Sequence, residues 1–148
     1  MLPPPPPVPT VLTHDEAPPR ARMMVIASRM ALEEGDVARA RADLDEAIRH
    51  DPASPILKLR RLELLSLPEL ERELPAWAEA APELRLRATL LHARRLVEAG
   101  QTEAAHRTLA AALVLARQTG QVAPDCDAAC GDVWMEEKAH LYAPRPRN

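Results

Sequence analysis

The stretch that decides the fold is RMMVIASRMALEEGDVARARADLDEAI, residues 22–48, and its pattern returns 65 positions later as RATLLHARRLVEAGQTEAAHRTLAAAL, residues 87–113. Seven positions are identical at equal offsets: two Arg, one Glu, one Gly, two Ala and one Leu. Self-similarity at a fixed spacing is typical of stacked repeats, in which each repeat is one supersecondary unit. The sequence therefore predicts a repeat protein, a class that presents extended surfaces for binding other chains.

Each copy of the pattern is predicted to be two helices around a glycine turn. In the first copy, apolar residues recur at helical spacing before and after Gly35, where a left-handed stop costs least. Asp36 can cap the second helix, and Ala40 is small enough for two helices to approach closely. The predicted helices are 20–34, 36–50, 54–65, a shorter helix over 68–77 interrupted at Pro75, 84–99, 102–118 and 132–142.

The composition agrees with closely packed helices and excludes several classes of protein. Phe is absent and aromatic residues make up 2% of the chain, so the core must be built from aliphatic residues and Met. The formal net charge is −3, which indicates no general affinity for polyanions, and we expect no nucleic-acid partner. The sequence has no apolar run long enough for a transmembrane helix and no pattern of a secretory signal, so we expect a cytoplasmic location.

These residues resemble the tetratricopeptide repeat family, whose 34-residue unit is a helix, a turn and a helix. Residues 21–54 match best, through Gly35-Asp36-Val37, Ala40, Leu44, Ala47-Ile48 and Asp51-Pro52. Residues 86–119 match at Gly100, Ala105, Leu109 and Ala112, and residues 55–85 form a shortened, degenerate middle repeat. The resemblance implies an all-α fold, a right-handed α-solenoid of antiparallel helical hairpins with a C-terminal capping helix.

The predicted organisation has three parts. A Pro-rich extended arm covers residues 1–20, helical repeats cover 21–119, and a capping helix with a basic tail covers 120–148. The arm is either a disordered tail or a docking peptide. Trp134 and Leu141 are expected to cover the apolar end of the stack. The family usually places aromatic residues where this chain has Met24, Ala31, Thr89 and Leu96, so another family of helical hairpins stays an alternative.

The resemblance also implies a concave groove, lined by the first helix of each repeat, that holds a peptide or a partner helix. The matching positions are Arg22, Val25, Arg29, Leu32, Leu59, Arg60, Arg87, Leu90, Arg94 and Val97. Because the Arg fork pairs with carboxylates, this alternation predicts a protein partner with an acidic or amphipathic segment. The alternative is a solvated face on which Arg29–Glu33 and Arg94–Glu98 are ordinary intrahelical ion pairs.

The candidates for chemistry are few. Cys126 and Cys130 can be free thiols, a disulfide, or two ligands of a metal site that includes His140. The sequence contains no nucleophile elbow, phosphate loop or spaced His pair, so we expect no enzyme, no catalytic residue and no cofactor. The predicted function is a non-enzymatic adaptor or scaffold subunit of a larger assembly. The alternative is a redox- or metal-responsive module centred on Cys126 and Cys130.

Overall fold

The computed structural model describes residues 3–4 and 18–141, and every regular element within them is helical. The elements are α1 (Pro19–Glu33), α2 (Val37–His50), α3 (Pro55–Glu63), α4 (Leu67–Glu73), a 3₁₀ helix (Leu74–Trp77), α5 (Pro82–Glu98), α6 (Thr102–Gln118) and α7 (Ala128–Leu141). The predicted all-α class is therefore confirmed for the described residues. None of these helices combines the length and apolarity needed to cross a membrane. The chain divides into two compact units, the first ending at Leu64 and the second beginning at Leu65.

In the first unit, the turn between α1 and α2 is the one that the sequence predicts. Gly35 has a φ of 84°. Its N–H donates to the Leu32 carbonyl at 3.0 Å, and the Asp36 N–H donates to the Ala31 carbonyl at 2.8 Å. These two bonds form a Schellman stop, which needs a left-handed residue. The Asp36 carboxylate then accepts the Arg39 N–H at 3.0 Å and caps α2.

The core of the first unit lies where α1, α2 and α3 meet. Ala40 is fully buried on α2, as the predicted close approach of the two helices requires. Two ion pairs tie α2 to its neighbours at the edge of the core: Arg20 Nη2 to Glu46 Oε1 at 2.8 Å, and Arg61 Nε to Asp45 Oδ1 at 2.6 Å. The hydrogen bond from Arg20 holds the pKa of Glu46 below its usual value.

In the second unit, α5 and α6 pack around a turn of the same kind. Gly100 has a φ of 76°, its N–H donates to the Val97 carbonyl at 3.0 Å, and the Gln101 N–H donates to the Leu96 carbonyl at 2.9 Å. Ala105 is buried, as is its counterpart in the first unit. One core cluster of this unit consists of Leu86, Leu90, Ala112, Ala116, Val122 and Cys126. Trp134 of α7 packs against this cluster and is partly buried.

The segment before α5 is interrupted at Pro75, as predicted. Ser66 caps α4 through a capping box with Glu69. The α-helix ends at Glu73, and a 3₁₀ helix of four residues carries Pro75 near its start. Because Pro lacks the N–H that an α-helix needs within its interior, the helix changes type there rather than continuing to Trp77.

The structure shifts some predicted boundaries. α1 includes Pro19, so the predicted arm of residues 1–20 ends at Pro18, because Pro fits the first turn of a helix. Most of that arm, and the basic tail after Leu141, lie outside the described residues. The division between the units falls after Leu64, inside the predicted middle repeat of residues 55–85. Within that repeat, α3 belongs to the first unit and α4 to the second.

Candidate functional site

Three of the ten residues predicted to line a partner groove are buried. Val25 packs with Leu44 and Leu57 in the core of the first unit, and Leu90 belongs to the core of the second. Leu59 is buried as well. This is a correction to the predicted groove, because these three side chains stabilise the fold and present no surface to a partner.

α1 shows why the sequence pattern misled. Its buried residues are Ala21, Val25, Ser28 and Ala31. Its exposed apolar residues are Met23, Ile26 and Met30. Residues 23–27 are all apolar, so α1 is apolar nearly all round in its first half. Periodicity therefore does not identify which side of this helix meets α2. Of the four α1 residues chosen from the resemblance, Val25 is buried, Arg22 and Leu32 are half-buried, and Arg29 is exposed.

The predicted arginines divide between the units: Arg22, Arg29 and Arg60 lie in the first, and Arg87 and Arg94 in the second. Leu32, also in the first unit, is half-buried. Partial burial lowers the pKa of Arg60, and the positive charge of Arg29 lowers it further, while Glu63 opposes this shift. Arg29 on α1 and Arg60 on α3 therefore repel each other, and the carboxylate of Glu63 counteracts this repulsion.

Arg94 has a partner on its own helix. Its Nη2 donates to Glu98 Oε1 at 2.9 Å, and Arg95 Nη1 lies 3.5 Å from Glu98 Oε2. The side chain of Arg94 is only 11% exposed. This is the intrahelical ion pair that the sequence offers as the alternative to a binding anchor. Arg94 is therefore poorly placed to capture an acidic group of a partner.

One concavity of the second unit is an open groove between α5, α6 and α7, with a volume of about 920 Å³. Its apolar lining consists of Val97, Leu109, Val133 and Met135. Val97 on α5 is 60% exposed and Val133 on α7 is 66% exposed, whereas Met135 is buried. Val97 and Arg94 are the predicted site residues that line it. We call this surface the α5–α7 groove.

Charged groups surround this apolar lining. One arginine, Arg94, is accompanied by the four carboxylates of Glu98, Asp132, Glu136 and Glu137, and by the imidazole of His106. With His106 neutral, the lining carries three more negative than positive charges. Sequence reasoning missed the acidic side of the groove because it comes from α7, which has no counterpart in the repeated pattern.

The two cysteines link the first turn of α7 to the connector that precedes it. Cys126 and Cys130 form a disulfide, with their Cα atoms 5.7 Å apart. Of the free thiols, the disulfide and the metal site that the sequence allows, the structure therefore contains the disulfide. Cys126 is buried in the core, while Cys130 is exposed in the first turn of α7. Arg117 Nη2 of α6 donates to the Cys126 carbonyl at 2.6 Å. Within the described residues, no group of acidic, His and Cys side chains is arranged to hold a metal ion.

The start of α7 is fixed by two further contacts. Asp127 Oδ1 accepts the N–H of Cys130 at 2.8 Å and caps the helix. Gly131 lies so close to α6 that a Cβ atom there would stand 2.8 Å from Leu113 Cδ2. α7 begins at Ala128, earlier than the predicted start at Asp132. Its acidic residues Asp132, Glu136 and Glu137 line the groove.

A second concavity of about 700 Å³ lies between α4, α5 and α6. His92 lines it, with its side chain 22% exposed. Its Nε2 lies 3.4 Å from Glu71 Oε1 of α4. This contact joins α4 to α5, which is a structural role.

Comparison with known proteins found no family model, no curated protein and no solved structure that matches this chain. The resemblance to tetratricopeptide repeats therefore rests on the residues quoted above and stays a prediction.

Proposed function

We propose that the chain is a non-enzymatic protein–protein interaction adaptor whose α5–α7 groove holds a segment of its partner. The observation that carries this proposal is the exposure of Val97 and Val133 on two helices that line one concavity. Burying a Val side chain completely contributes about 1.5–3 kcal/mol. A partner that covers both valines therefore gains a substantial part of the free energy of a specific complex.

The proposed architecture behind this surface is a right-handed α-solenoid of antiparallel helical hairpins, similar to tetratricopeptide repeats. It is supported by a feature that occurs twice, a glycine with positive φ followed at the same spacing by a buried alanine. The two pairs are Gly35 with Ala40 and Gly100 with Ala105. Arrays of this kind act by presenting surfaces to other chains. An adaptor role in a larger cytoplasmic assembly is part of the same proposal.

The proposal is tested by isolating a tagged form of the chain from the cells that produce it, with its bound partners. The groove variant carries Val97→Asp and Val133→Asp. The matched control carries Val114→Asp, because Val114 is 52% exposed on α6 but does not line the groove. We expect one co-purifying protein that is lost with the groove variant and retained with the control. Recovery of the same proteins with all three forms would rule out the groove as the binding surface.

A redox-responsive module is a second candidate, and the disulfide is the observation that favours it. Cys130 is exposed, so a small dithiol would attack the disulfide from the side of Cys130, while Cys126 is buried in the core. Reduction would release the first turn of α7 from the connector that precedes it. In this candidate function the redox state of the two cysteines controls the groove.

A further inference from the structure

The charge that a ligand meets in the α5–α7 groove is negative. Asp132, Glu136 and Glu137 are exposed, and none of them has an ion pair with another residue in the described part of the chain. The one arginine of the lining, Arg94, is already paired with Glu98 at 2.9 Å. The available charge is therefore that of three carboxylates on α7.

The arrangement of these carboxylates matches a helical ligand. Asp132 and Glu136 are one helical turn apart and lie on the same side of α7, with Glu137 beside them. Val133 stands between them in sequence and lines the same groove. Cations spaced by one turn on an incoming helix can face these carboxylates while apolar residues on that helix cover Val133 and Val97.

The walls of the groove also favour a helix over an extended peptide. They are formed by α5, α6 and α7, whose backbone groups are bonded within each helix. Such walls offer no strand edge, so an extended peptide would gain no ladder of main-chain hydrogen bonds. A helical ligand already satisfies its own backbone and binds through its side chains alone.

We infer that the occupant of the α5–α7 groove is a basic amphipathic helix of a partner protein. This inference rests on the proposed function and adds the chemistry of the partner. The arginine pattern predicts an acidic or amphipathic segment; the inference keeps an amphipathic segment but makes its charge basic, because that pattern did not include α7. The apolar face of the helix covers Val97, Leu109 and Val133, and its Lys or Arg residues face Asp132, Glu136 and Glu137.

The test uses three labelled peptides of equal length and the full chain, with binding followed by fluorescence anisotropy. The first peptide is an amphipathic helix with a Leu face and a Lys face. In the second peptide Glu replaces every Lys, and the third has the composition of the first in an order that removes the apolar face. We expect the Lys–Leu peptide to bind at least tenfold more tightly than either of the others.

Two sets of variants locate that binding. Neutralising the groove by Asp132→Asn, Glu136→Gln and Glu137→Gln should weaken it about tenfold, the effect of losing three exposed charge pairs. The matched control neutralises three exposed carboxylates of the same unit outside the groove, by Glu79→Gln, Glu83→Gln and Glu103→Gln, and changes the net charge equally. The control should retain the affinity.

The outcomes separate the inference from the function on which it rests. If the Glu–Leu peptide binds more tightly and Val97→Asp with Val133→Asp abolishes its binding, the groove is a docking site but its ligand is acidic, and the inference is wrong. If no peptide binds in a way that depends on Val97 and Val133, both the inference and the proposed function fail. Equal weakening by the groove and control neutralisations identifies non-specific attraction and also overturns the inference.

Discussion

Gly100 is a residue at which local backbone geometry, and not the space around it, favours glycine. Its φ of 76° lies in the left-handed region, and a Cβ added there would meet nothing within 4 Å. The cost of a side chain is therefore conformational and not steric. Replacement by a residue that rarely adopts this conformation should destabilise the second unit without disturbing its packing.

We predict that Gly100→Ala lowers the free energy of unfolding by about 1–2 kcal/mol. Gly100→Asn should lower it less, because Asn tolerates left-handed geometry better than Ala does. Denaturant unfolding of the two variants and the wild type measures this order. Helix propensity ranks the two residues oppositely, so a more stable Ala variant would show that position 100 is simply helical.

Residues of this kind were the most predictable from sequence. The glycine stops and the Asp36 cap follow from hydrogen bonds to residues a few positions away along the chain. Ala40 and Ala105 follow from the need for a small residue where two helices of a hairpin meet. Val25 and Leu90 were not predictable in the same way, because both helices carry apolar residues on more than one side. Which of those sides is buried depends on the helix packed against it.

α7 is the element that the sequence described least well. Its apolar residues follow no helical period, and its start depends on the cap from Asp127 and on the disulfide. The disulfide also bears on the proposed location, because thiols in the cytoplasm are kept reduced. In that compartment α7 would be held by its cap, by the bond from Arg117 to the Cys126 carbonyl and by its apolar packing.

We predict that the disulfide stabilises the second unit by about 2 kcal/mol, the value expected for a cross-link that closes so short a loop. Adding a dithiol reductant should therefore lower the Tm of the oxidised chain by several degrees. Thermal unfolding followed by circular dichroism, with and without the reductant, measures the shift. A control chain with Cys126→Ser and Cys130→Ser should show no response. If the reductant leaves the Tm of the wild type unchanged as well, the bond does not contribute to stability.

At the scale of the whole molecule, the charged groups near the two copies of the repeat differ. The first unit carries the repelling pair Arg29 and Arg60, whereas the groove of the second unit is acidic. The repeat pattern predicted similar arginine-lined surfaces in both copies, because it compared only the duplicated segments. α7 lies outside the duplication and changes the sign of the charge at the second copy. Repetition thus predicted the helix pairs well, but it did not predict the surface that we propose to be functional.

The central claim is that the α5–α7 groove binds a partner, and site-specific photo-crosslinking tests it most directly. A photoreactive amino acid is placed at position 133 in the groove, or at position 114 on the exposed side of α6, in the cells that produce the chain. We predict a discrete covalent adduct from position 133 alone, and mass spectrometry should assign it to a segment rich in Lys or Arg and in apolar residues. The same adducts from both positions, or none from position 133, would contradict the account.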